Sequence, residues 1–280
     1  MPELPEVEIT SRLIDRAVSG AEVESVAAPG VNALKTFDPP LSALEGRRID
    51  GVGRRGKLFT IKLDDLVLLI HLMSAGRLQV FDSRASLRDR TSRLLVRVGD
   101  GRELRLREFG TRQRAWVKLL AAEGLEQEET LAALGPEAWP DPPPLPELLD
   151  QPRPLYALLR DQHAIAGIGR SWVDEILHSA RLSPFKRGSE LEADEAQRLR
   201  EAMIGRLGGA IDHYEQTLSL PIPDKLPMPL TVHRRNGEPC PRCGDRLEAV
   251  FYEDYVMCYC PTCQTEGRIL KDRRLSRLLK

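Results

Sequence analysis

All five cysteines of the 280-residue chain lie between positions 240 and 263. Four of them form two C-x2-C pairs, "CPRC" and "CPTC", with 16 residues between the pairs. That spacing is typical of a tetrahedral zinc site in which two turns of a β-hairpin each supply two thiolates. Two such pairs rarely arise by chance, so one structural Zn²⁺ is favoured over four buried structural thiols. The predicted ligands are Cys240, Cys243, Cys260 and Cys263.

The fifth cysteine, Cys258, is predicted not to bind the metal, because its spacing from Cys260 places it on a strand face. Four thiolates around one Zn²⁺ carry excess negative charge, which neighbouring cations would offset. The candidates are four arginines: Arg235, Arg242, Arg246 and Arg268. A zinc module this small has no core of its own, so we expect metal binding to supply its folding free energy.

The amino terminus reads "MPELPEVE", with Pro2 directly after Met1. Methionine before a small residue is normally removed, which would leave Pro2 as a free secondary amine. An α-amino group titrates near pH 8, against about 10.4 for lysine, and burial lowers the pKa further. Such a nitrogen can attack an aldehyde carbon and form a Schiff base, while Glu3 moves protons. The alternative is a simple helix start, which favours proline and acidic residues.

A pair of glycines, Gly167 and Gly169, interrupts the helical pattern of "DQHAIAGIGRSWVDEIL". Two glycines around an isoleucine predict a tight turn whose amides can point outward. Backbone N–H groups at a helix start bind anions, and Arg170 adds a positive charge there. The alternative is an ordinary corner between two helices.

The elements that must position these residues change type along the chain. Ile9, Leu13, Ile14, Ala17 and Val18 share one helical face, so a first helix is predicted from about residue 2 to a stop at Gly20. Short β runs such as "LVLLIHL" fill residues 22–119 and indicate a sandwich or barrel-like β domain. Residues 153–217 are predicted to be helical with one break at 166–169, and 219–229 to form a proline-rich loop.

The formal net charge of −1 hides an uneven distribution. Residues 122–150 hold eight acidic residues and no Lys or Arg, whereas residues 84–118 hold eleven Lys or Arg and four acids. Clustered arginine is typical of a phosphate-binding surface, although many basic strips are only solvated faces. No run of 18 apolar residues and no secretory signal is apparent, so a cytoplasmic protein is expected. The cysteine placement argues against a disulfide scaffold.

Five motifs in order resemble the formamidopyrimidine-DNA glycosylase / endonuclease VIII family, over nearly the whole chain. "PELPEVE" (2–8) is similar to its amino-terminal signature, and "RRGKLF" (54–59) to its catalytic-lysine strand. "LGPE" (134–137) resembles its linker, and residues 161–177 resemble its helix-two-turn-helix. "GEPCPRCG" with "CYCPTCQ" is similar to its terminal zinc finger.

The resemblance implies a role for four catalytic residues. Pro2 is implied to attack the sugar C1′ and expel the damaged base, with Glu3 as the general acid/base that helps open the sugar. Lys57 is implied to contact phosphate and assist the lyase step, and Glu6 to support the lesion pocket. Base eversion fits this chemistry, because C1′ must leave the stack to be reached.

The resemblance also implies a set of DNA-contacting residues. Arg107 and Phe109 match the family's wedge, which fills the gap left by the everted base. Phosphate contacts from the others would fix register without reading sequence. The full set is His71, Met73, Arg88, Arg107, Phe109, Arg153, Gly169 and Arg170.

The sequence departs from the family pattern at several of these places. The family's wedge methionine aligns with Ser74, while Met73 sits one place earlier, an offset that in a strand would reverse its direction. Tyr255 stands nearest the position of a phosphate-gripping arginine in the zinc hairpin, and Glu253 and Asp254 beside it would repel phosphate. A second, δ-elimination is therefore left open, and the 219–229 loop lacks the pattern associated with capping 8-oxoguanine.

The predicted fold is α+β and multidomain. It comprises an N-terminal β-sandwich with an amino-terminal helix (1–121), an acidic Pro-rich linker (122–150) and a helix-two-turn-helix domain (151–230). A β-hairpin zinc finger (231–265) and a basic tail (266–280) follow.

The predicted function is a bifunctional DNA glycosylase/AP lyase that excises oxidised bases through a Schiff base at the N-terminal proline. It then nicks the strand by β-elimination, with β,δ-elimination left open. Its predicted partner is double-stranded DNA with an oxidised base or abasic site. The protein is expected to be a monomer, to act in the cytoplasm on a bacterial-type nucleoid, and to have no membrane partner. The alternative is a non-catalytic binder of lesions or abasic sites on the same scaffold. The preferred lesion stays open.

Overall fold

A computed structural model describes residues 2–86, 88–252 and 255–271. The described chain forms two compact units. The first unit takes its residues from Met1–Ala133 and Ile211–Pro227, and the second from Leu134–Ala210 and Met228–Lys280. Mixed helices and sheets with a terminal cysteine cluster confirm the predicted α+β class.

The first unit opens with helix α1 (Leu4–Val18), as predicted. Its apolar face is buried, with Ile9, Ile14 and Val18 fully inaccessible to solvent. Burial of that stripe, rather than helix propensity alone, stabilises a helix of this length. The backbone leaves the helix through Gly20, whose φ of +82° suits glycine.

Two antiparallel four-stranded sheets form the β-sandwich of the first unit. One has the order β1-β6-β7-β5, with β1 Val23–Ala27, β6 Ser92–Val98, β7 Glu103–Glu108 and β5 Gly76–Phe81. The other has the order β2-β3-β4-β8, with β2 Gly51–Arg55, β3 Leu58–Leu63, β4 Leu66–His71 and β8 Trp116–Ala121. Because these strands form two separate sheets, the domain is a sandwich and not a single closed barrel. α1 packs against β2, β3 and β5.

The acidic connector contains local structure. Short helices α2 (Glu129–Ala132) and α3 (Leu145–Leu149) lie within it, so it is not uniformly extended. A proline in the first turn of α3 explains how a Pro-rich segment can still start a helix, because the first-turn N–H groups need no intrahelical partner.

The second unit is helical before its cysteine-rich end. Its main helices are α4 (Leu155–Arg160), α5 (Arg170–Ala180) and most of α6 (Ala193–Thr217). The prediction of a single break in 153–217 is wrong, because the backbone is also non-helical between α5 and α6. Arg181 ends α5 in the left-handed conformation, with φ +58°. A hairpin, β9 (Glu248–Phe251) with β10 (Val256–Tyr259), and helix α7 (Pro261–Gln264) complete the unit.

Among the described residues, no helix combines the length and the apolar character that crossing a bilayer requires. Residues 272–280 of the predicted basic tail lie outside the described part of the chain. The same holds for Met1, Glu253 and Asp254.

Candidate functional site

The first turn of α1 holds two buried carboxylates. Glu3 and Glu6 are each 2% exposed. One oxygen of Glu6 accepts the backbone N–H of Glu3 at 2.9 Å, and the other accepts the Tyr214 hydroxyl at 2.8 Å. Pro2, which precedes Glu3, is half-buried. The predicted catalytic residues Pro2, Glu3 and Glu6 therefore share one helix start whose geometry a buried carboxylate fixes.

Lys57 lies in the two-residue turn between β2 and β3, rather than in a strand. Gly56 opens this turn at φ +56°, a conformation that favours glycine. Carboxylates of α1 bond the β2–β3 hairpin, and Glu8 is the one that reaches Arg54. Glu8 accepts from Arg54 of β2 at 2.7 Å with one oxygen and from Arg12 at 2.7 Å with the other. The helix that carries Pro2 and the turn that carries Lys57 are thus joined by a half-buried ion pair.

His71 ends β4 directly opposite Leu58, the residue after Lys57. Its ring stacks on Trp116 at a centroid distance of 5.5 Å, and its Nδ1 accepts the Met73 N–H at 3.0 Å. Burial, and then the charge of Lys57, lower the pKa of His71 to about 4. At neutral pH the imidazole is therefore uncharged, and Nδ1 is free of a proton because it accepts a hydrogen bond.

Met73 and Ser74 both lie in the turn between β4 and β5. The expectation that their offset acts through strand alternation is therefore wrong, since alternation applies only within a strand. Met73 has φ +50°, which is uncommon for a residue with a side chain, and is half-buried, whereas Ser74 is exposed.

Arg107 and Phe109 are held together at the end of β7. The guanidinium carbon of Arg107 is 4.7 Å from the Phe109 ring centroid. Arg107 also donates to Gln79 of β5 at 3.3 Å and to the Asp224 carboxylate at 3.2 Å. Gln79 donates to Asp224 at 3.1 Å and to the Ile222 carbonyl at 2.6 Å. The proline loop predicted over residues 219–229 is thereby fastened, through Ile222 and Asp224, to the strands that carry the predicted wedge.

Arg88 and Arg153 are the predicted DNA contacts that lie outside the motifs described above. Arg88 is exposed, and its backbone N–H bonds the Ser86 hydroxyl at 3.2 Å. Arg153 is exposed and pairs with Asp161 at 2.8 Å. These contacts are local and do not test a role for Arg88 or Arg153 in binding DNA, which stays a prediction.

The glycine turn before α5 is braced from inside. Gly167 has φ +108°, and its amide donates to the Gln162 side chain at 3.0 Å. The Gln162 amide in turn donates to the Ile168 carbonyl at 2.8 Å. The expectation of an outward-pointing amide is therefore wrong for Gly167. Gly169 is the N-cap of α5 and Arg170 its first residue, as the anion-site prediction requires.

Tyr255, at the end of the zinc hairpin turn, lies against two cations and two other rings, one of them Tyr156 at a centroid distance of 5.8 Å. Tyr255 also stacks on Tyr252 at 4.3 Å between centroids. The guanidinium carbons of Arg160 and Arg170 lie 4.4 Å and 5.2 Å from its ring centroid. Arg160, which no sequence motif singled out, thus joins Arg170 beside the predicted phosphate-binding turn. The predicted repulsion by Glu253 and Asp254 concerns residues outside the described chain.

The four predicted zinc ligands converge. The sulfur atoms of Cys240, Cys243, Cys260 and Cys263 all lie within 4.8 Å of one another. Cys240 and Cys263 are 4.0 Å apart, and Cys243 and Cys260 are 3.5 Å apart. Zn–S bonds of about 2.3 Å in a tetrahedron separate sulfurs by about 3.8 Å, so the four thiols can hold one metal ion.

Cys258 lies outside this cluster, as expected. It is buried on β10, and its sulfur accepts the Arg234 N–H at 3.2 Å. The four arginines expected to offset the thiolate charge instead direct their guanidinium groups elsewhere. Arg242 donates to the carbonyls of His178 and Ser179 in α5. The other three form ion pairs with neighbouring glutamates: Arg235 with Glu238, Arg246 with Glu248, and Arg268 with Glu266.

Two acidic residues of α5 fasten the cysteine module to the helical part of the second unit. One oxygen of Glu175 accepts three consecutive backbone N–H groups, from Thr231, Val232 and His233, at 2.7–3.0 Å. Asp174 accepts the Cys258 N–H at 3.2 Å and contacts His233 Nδ1 at 2.6 Å. Burial raises the pKa of Asp174 to about 7.

Several of these residues could not be found from sequence. Tyr214 is 208 residues from Glu6, and Asp224 is 117 residues from Arg107. No local pattern marks a tyrosine or an aspartate whose partner is so distant. Gln162 and Glu175 lie inside a recognised motif, but their bonds to backbone groups depend on the folded turn.

Two family models match the chain. One is described as the formamidopyrimidine-DNA glycosylase N-terminal domain and matches residues 1–113; the other is the H2TH domain of the same family and matches residues 145–221. The formamidopyrimidine-DNA glycosylase of Exiguobacterium sibiricum is 31% identical over 279 residues, covering 94% of this chain and 99% of that protein. That of Geobacillus kaustophilus is 33% identical over 280 residues, covering 94% and 100%.

Solved structures agree. The Lactococcus lactis Fpg (MutM) in complex with DNA containing N7-benzyl-Fapy-dG superposes with a TM-score of 0.83 at 26% identity, covering 94% of this chain and 100% of that one. The same protein non-covalently bound to AP-site DNA superposes with a TM-score of 0.80 at 25% identity, covering 94% and 99%. The chain therefore belongs to the formamidopyrimidine-DNA glycosylase family.

Proposed function

We propose that this protein is a DNA repair glycosylase with AP lyase activity, acting on double-stranded DNA with an oxidised base or an abasic site. Family membership supports the glycosylase, and the related structures with lesion-containing and AP-site DNA support the substrate class. The observation that carries the proposal is the buried carboxylate of Glu6, which fixes the helix start next to Pro2.

The proposed chemistry begins at Pro2. Once Met1 is removed, the secondary amine of Pro2 attacks C1′ of the damaged nucleotide. The bond from C1′ to the base breaks, and its electron pair leaves on the base. Glu3 takes the proton that the attacking amine loses and gives it to the ring oxygen as the C1′–O bond breaks and the sugar opens, which yields an iminium between Pro2 and C1′. Loss of a proton from C2′ then expels the 3′ phosphate by β-elimination. Lys57 is proposed to hold phosphate and assist this lyase step, and Glu6 to support the lesion pocket.

The DNA contacts are proposed to be mainly to phosphate. The proposed set of DNA-contacting residues is His71, Met73, Arg88, Arg107, Phe109, Arg153, Gly169 and Arg170. Arg107 and Phe109 are supported as a wedge by their stacking at the end of one strand. Arg170 and Gly169 are supported as a phosphate site by their place at the start of α5, where helix N–H groups and the dipole favour an anion.

The metal is proposed to be one structural Zn²⁺. Four thiolates and no open ligand position are typical of a structural site, where the ion stabilises the hairpin fold and takes no part in catalysis. Tyr255 stands nearest the hairpin position where the family has a phosphate-gripping arginine, and a tyrosine carries no positive charge to support δ-elimination there. We therefore propose that β-elimination exceeds δ-elimination in this protein.

An incision assay tests the proposed function. Duplexes carrying 8-oxoguanine, formamidopyrimidine, thymine glycol, a hydantoin or an abasic site are incubated with the zinc-loaded protein, and the product ends are resolved. We expect incision at the abasic site and at one or more oxidised bases, with β-elimination ends prevailing. Tight, salt-dependent binding without incision of any duplex would instead identify a non-catalytic lesion binder.

A further inference from the structure

Tyr214 is a fully buried tyrosine in the part of α6 that belongs to the first unit. Its hydroxyl donates to Glu6 Oε1 at 2.8 Å. Burial, and then the Glu6 and Glu3 carboxylates, raise the pKa of Tyr214 far above its ordinary value. The hydroxyl therefore keeps its proton at every working pH and acts as a permanent hydrogen-bond donor.

The two oxygens of Glu6 have different tasks. Oε2 accepts the N–H of Glu3, a residue only three positions away, and this bond belongs to the helix start itself. Oε1 accepts from Tyr214, 208 residues away. A carboxylate with one local bond can still rotate. A second donor on the opposite oxygen fixes its plane, and a carboxylate that is only 2% exposed depends on such donors to satisfy its buried oxygen atoms.

The chain of contacts ends at the amino terminus. The N–H that Glu6 accepts belongs to the peptide bond between Pro2 and Glu3. Fixing that peptide plane fixes the Cα of Pro2, and the ring nitrogen of Pro2 is one bond further. Reaction rates respond strongly to misplacement of a nucleophile by an ångström.

We propose that Tyr214 is a positioning residue for the reaction: through Glu6 it holds the Pro2–Glu3 peptide, and so the Pro2 amine, in the orientation that attacks C1′. This inference rests on the proposed function, since it assigns Tyr214 a task only if Pro2 is the nucleophile. Tyr214 lies outside the five motifs that carry the resemblance in the sequence.

Single-turnover trapping measures the effect. Protein in excess is mixed with abasic-site DNA, and borohydride captures the covalent adduct over time. Tyr214→Phe keeps the ring and removes the donor. We expect adduct formation to slow about tenfold, the usual effect of losing a hydrogen bond to a charged group. The Kd for DNA with a tetrahydrofuran abasic analogue, which forms no Schiff base, should stay within about twofold of wild type.

Tyr156→Phe is the matched control. Tyr156 is also a buried tyrosine, 4% exposed, but its hydroxyl has no hydrogen-bond partner among the described residues. It lies in the second unit. Removing that hydroxyl should leave the trapping rate unchanged, whereas an equal loss in both variants would mean that any buried tyrosine hydroxyl supports the fold, and would overturn the inference.

A double-mutant cycle with Glu6→Gln separates positioning from general stability. If Tyr214 acts through Glu6, adding Tyr214→Phe to the Glu6→Gln variant should change the trapping rate by less than about twofold. Independent, multiplicative losses would overturn the inference, as would a wild-type rate for Tyr214→Phe or a Kd that rises in step with the lost rate. No adduct from wild-type protein with a free Pro2 would overturn the proposed function itself, and this inference with it.

Discussion

His71 shows how a single residue's environment sets its charge. Burial and the neighbouring Lys57 lower the pKa of His71 to about 4, so the folded protein holds the imidazole neutral, while the unfolded chain protonates it near 6.5. Between those pH values the unfolded state binds more protons. This residue therefore adds stability above pH 6.5, and that contribution is lost as the pH falls towards 4.

An NMR titration of the imidazole signals measures this pKa directly. We expect a midpoint near 4 for His71 in the wild-type protein, and a higher midpoint in Lys57→Met, because the variant removes a repelling positive charge. His163, which is exposed, provides an internal reference. A His71 midpoint near 6.5 in the wild type would contradict this account of the site's electrostatics.

Two glycines allow a matched test of backbone conformation. Gly167 adopts φ +108°, so Gly167→Ala should lower the free energy of unfolding by about 1–3 kcal/mol. Gly205 lies on the exposed face of α6, and a methyl group added to its Cα would have no heavy atom within 4 Å. Gly205→Ala should therefore raise the free energy of unfolding by about 0.5–1 kcal/mol. Urea unfolding of both variants measures the difference; equal effects would contradict it.

Residue types and spacing predicted the cysteine cluster and the glycine turn, because both are local patterns with a chemical reason. The same reasoning placed an outward amide on Gly167, where the structure shows a bond to Gln162. It could not find Tyr214 or Asp224, since their partners are far away in sequence. Long-range polar contacts depend on the fold, which a motif does not contain.

The cysteine hairpin is the element whose stability depends most on a ligand. Replacing one predicted zinc ligand, Cys240→Ser, should abolish the bound metal, since three thiolates hold a structural zinc much more weakly. Cys258 lies on β10 but outside the cluster, so Cys258→Ser should keep the bound metal. Metal content by mass spectrometry after gel filtration distinguishes the two. Zinc retained in Cys240→Ser, or lost in Cys258→Ser, would refute the ligand assignment.

The proline loop is a second element, and side chains of the sheet hold it in place. Asp224 receives bonds from Gln79 and Arg107 of the sheet. Asp224→Ala should loosen the loop and speed tryptic cleavage after the exposed Lys225 severalfold, as expected for contacts of about 1 kcal/mol. Asp212→Ala, on the exposed side of α6, should leave that cleavage unchanged. Equal cleavage in all three proteins would show that Asp224 does not fasten the loop.

At this scale sequence periodicity predicted α1 and the β-sandwich, because both bury a repeating apolar face. Periodicity did not predict where turns interrupt a strand pair or a helical region. Lys57 falls in a turn opened by Gly56, and the helical region has a second break at Arg181. Neither a left-handed arginine nor a two-residue turn inside an apolar pattern has a strong sequence signal.

On the scale of the whole molecule, the first unit is assembled from two distant segments. Residues 211–227, which follow the helical domain in sequence, belong with the amino-terminal sandwich. They bring Tyr214 to Glu6 and Asp224 to Arg107. Composition along the chain assigns contiguous domains, and the five-part division of the sequence stays a prediction. The contact pattern explains why the proposed active site needs residues from both segments.

The proposed reaction requires that the amino terminus be the nucleophile, and one measurement tests that requirement directly. Zinc-loaded protein, with removal of Met1 verified by intact mass, is incubated with abasic-site DNA and borohydride, and the adduct is digested and mapped. We predict one covalent adduct on Pro2, and a much weaker one in Pro2→Gly or in protein that retains Met1. No adduct, or an adduct on Lys57 in place of Pro2, would contradict the account.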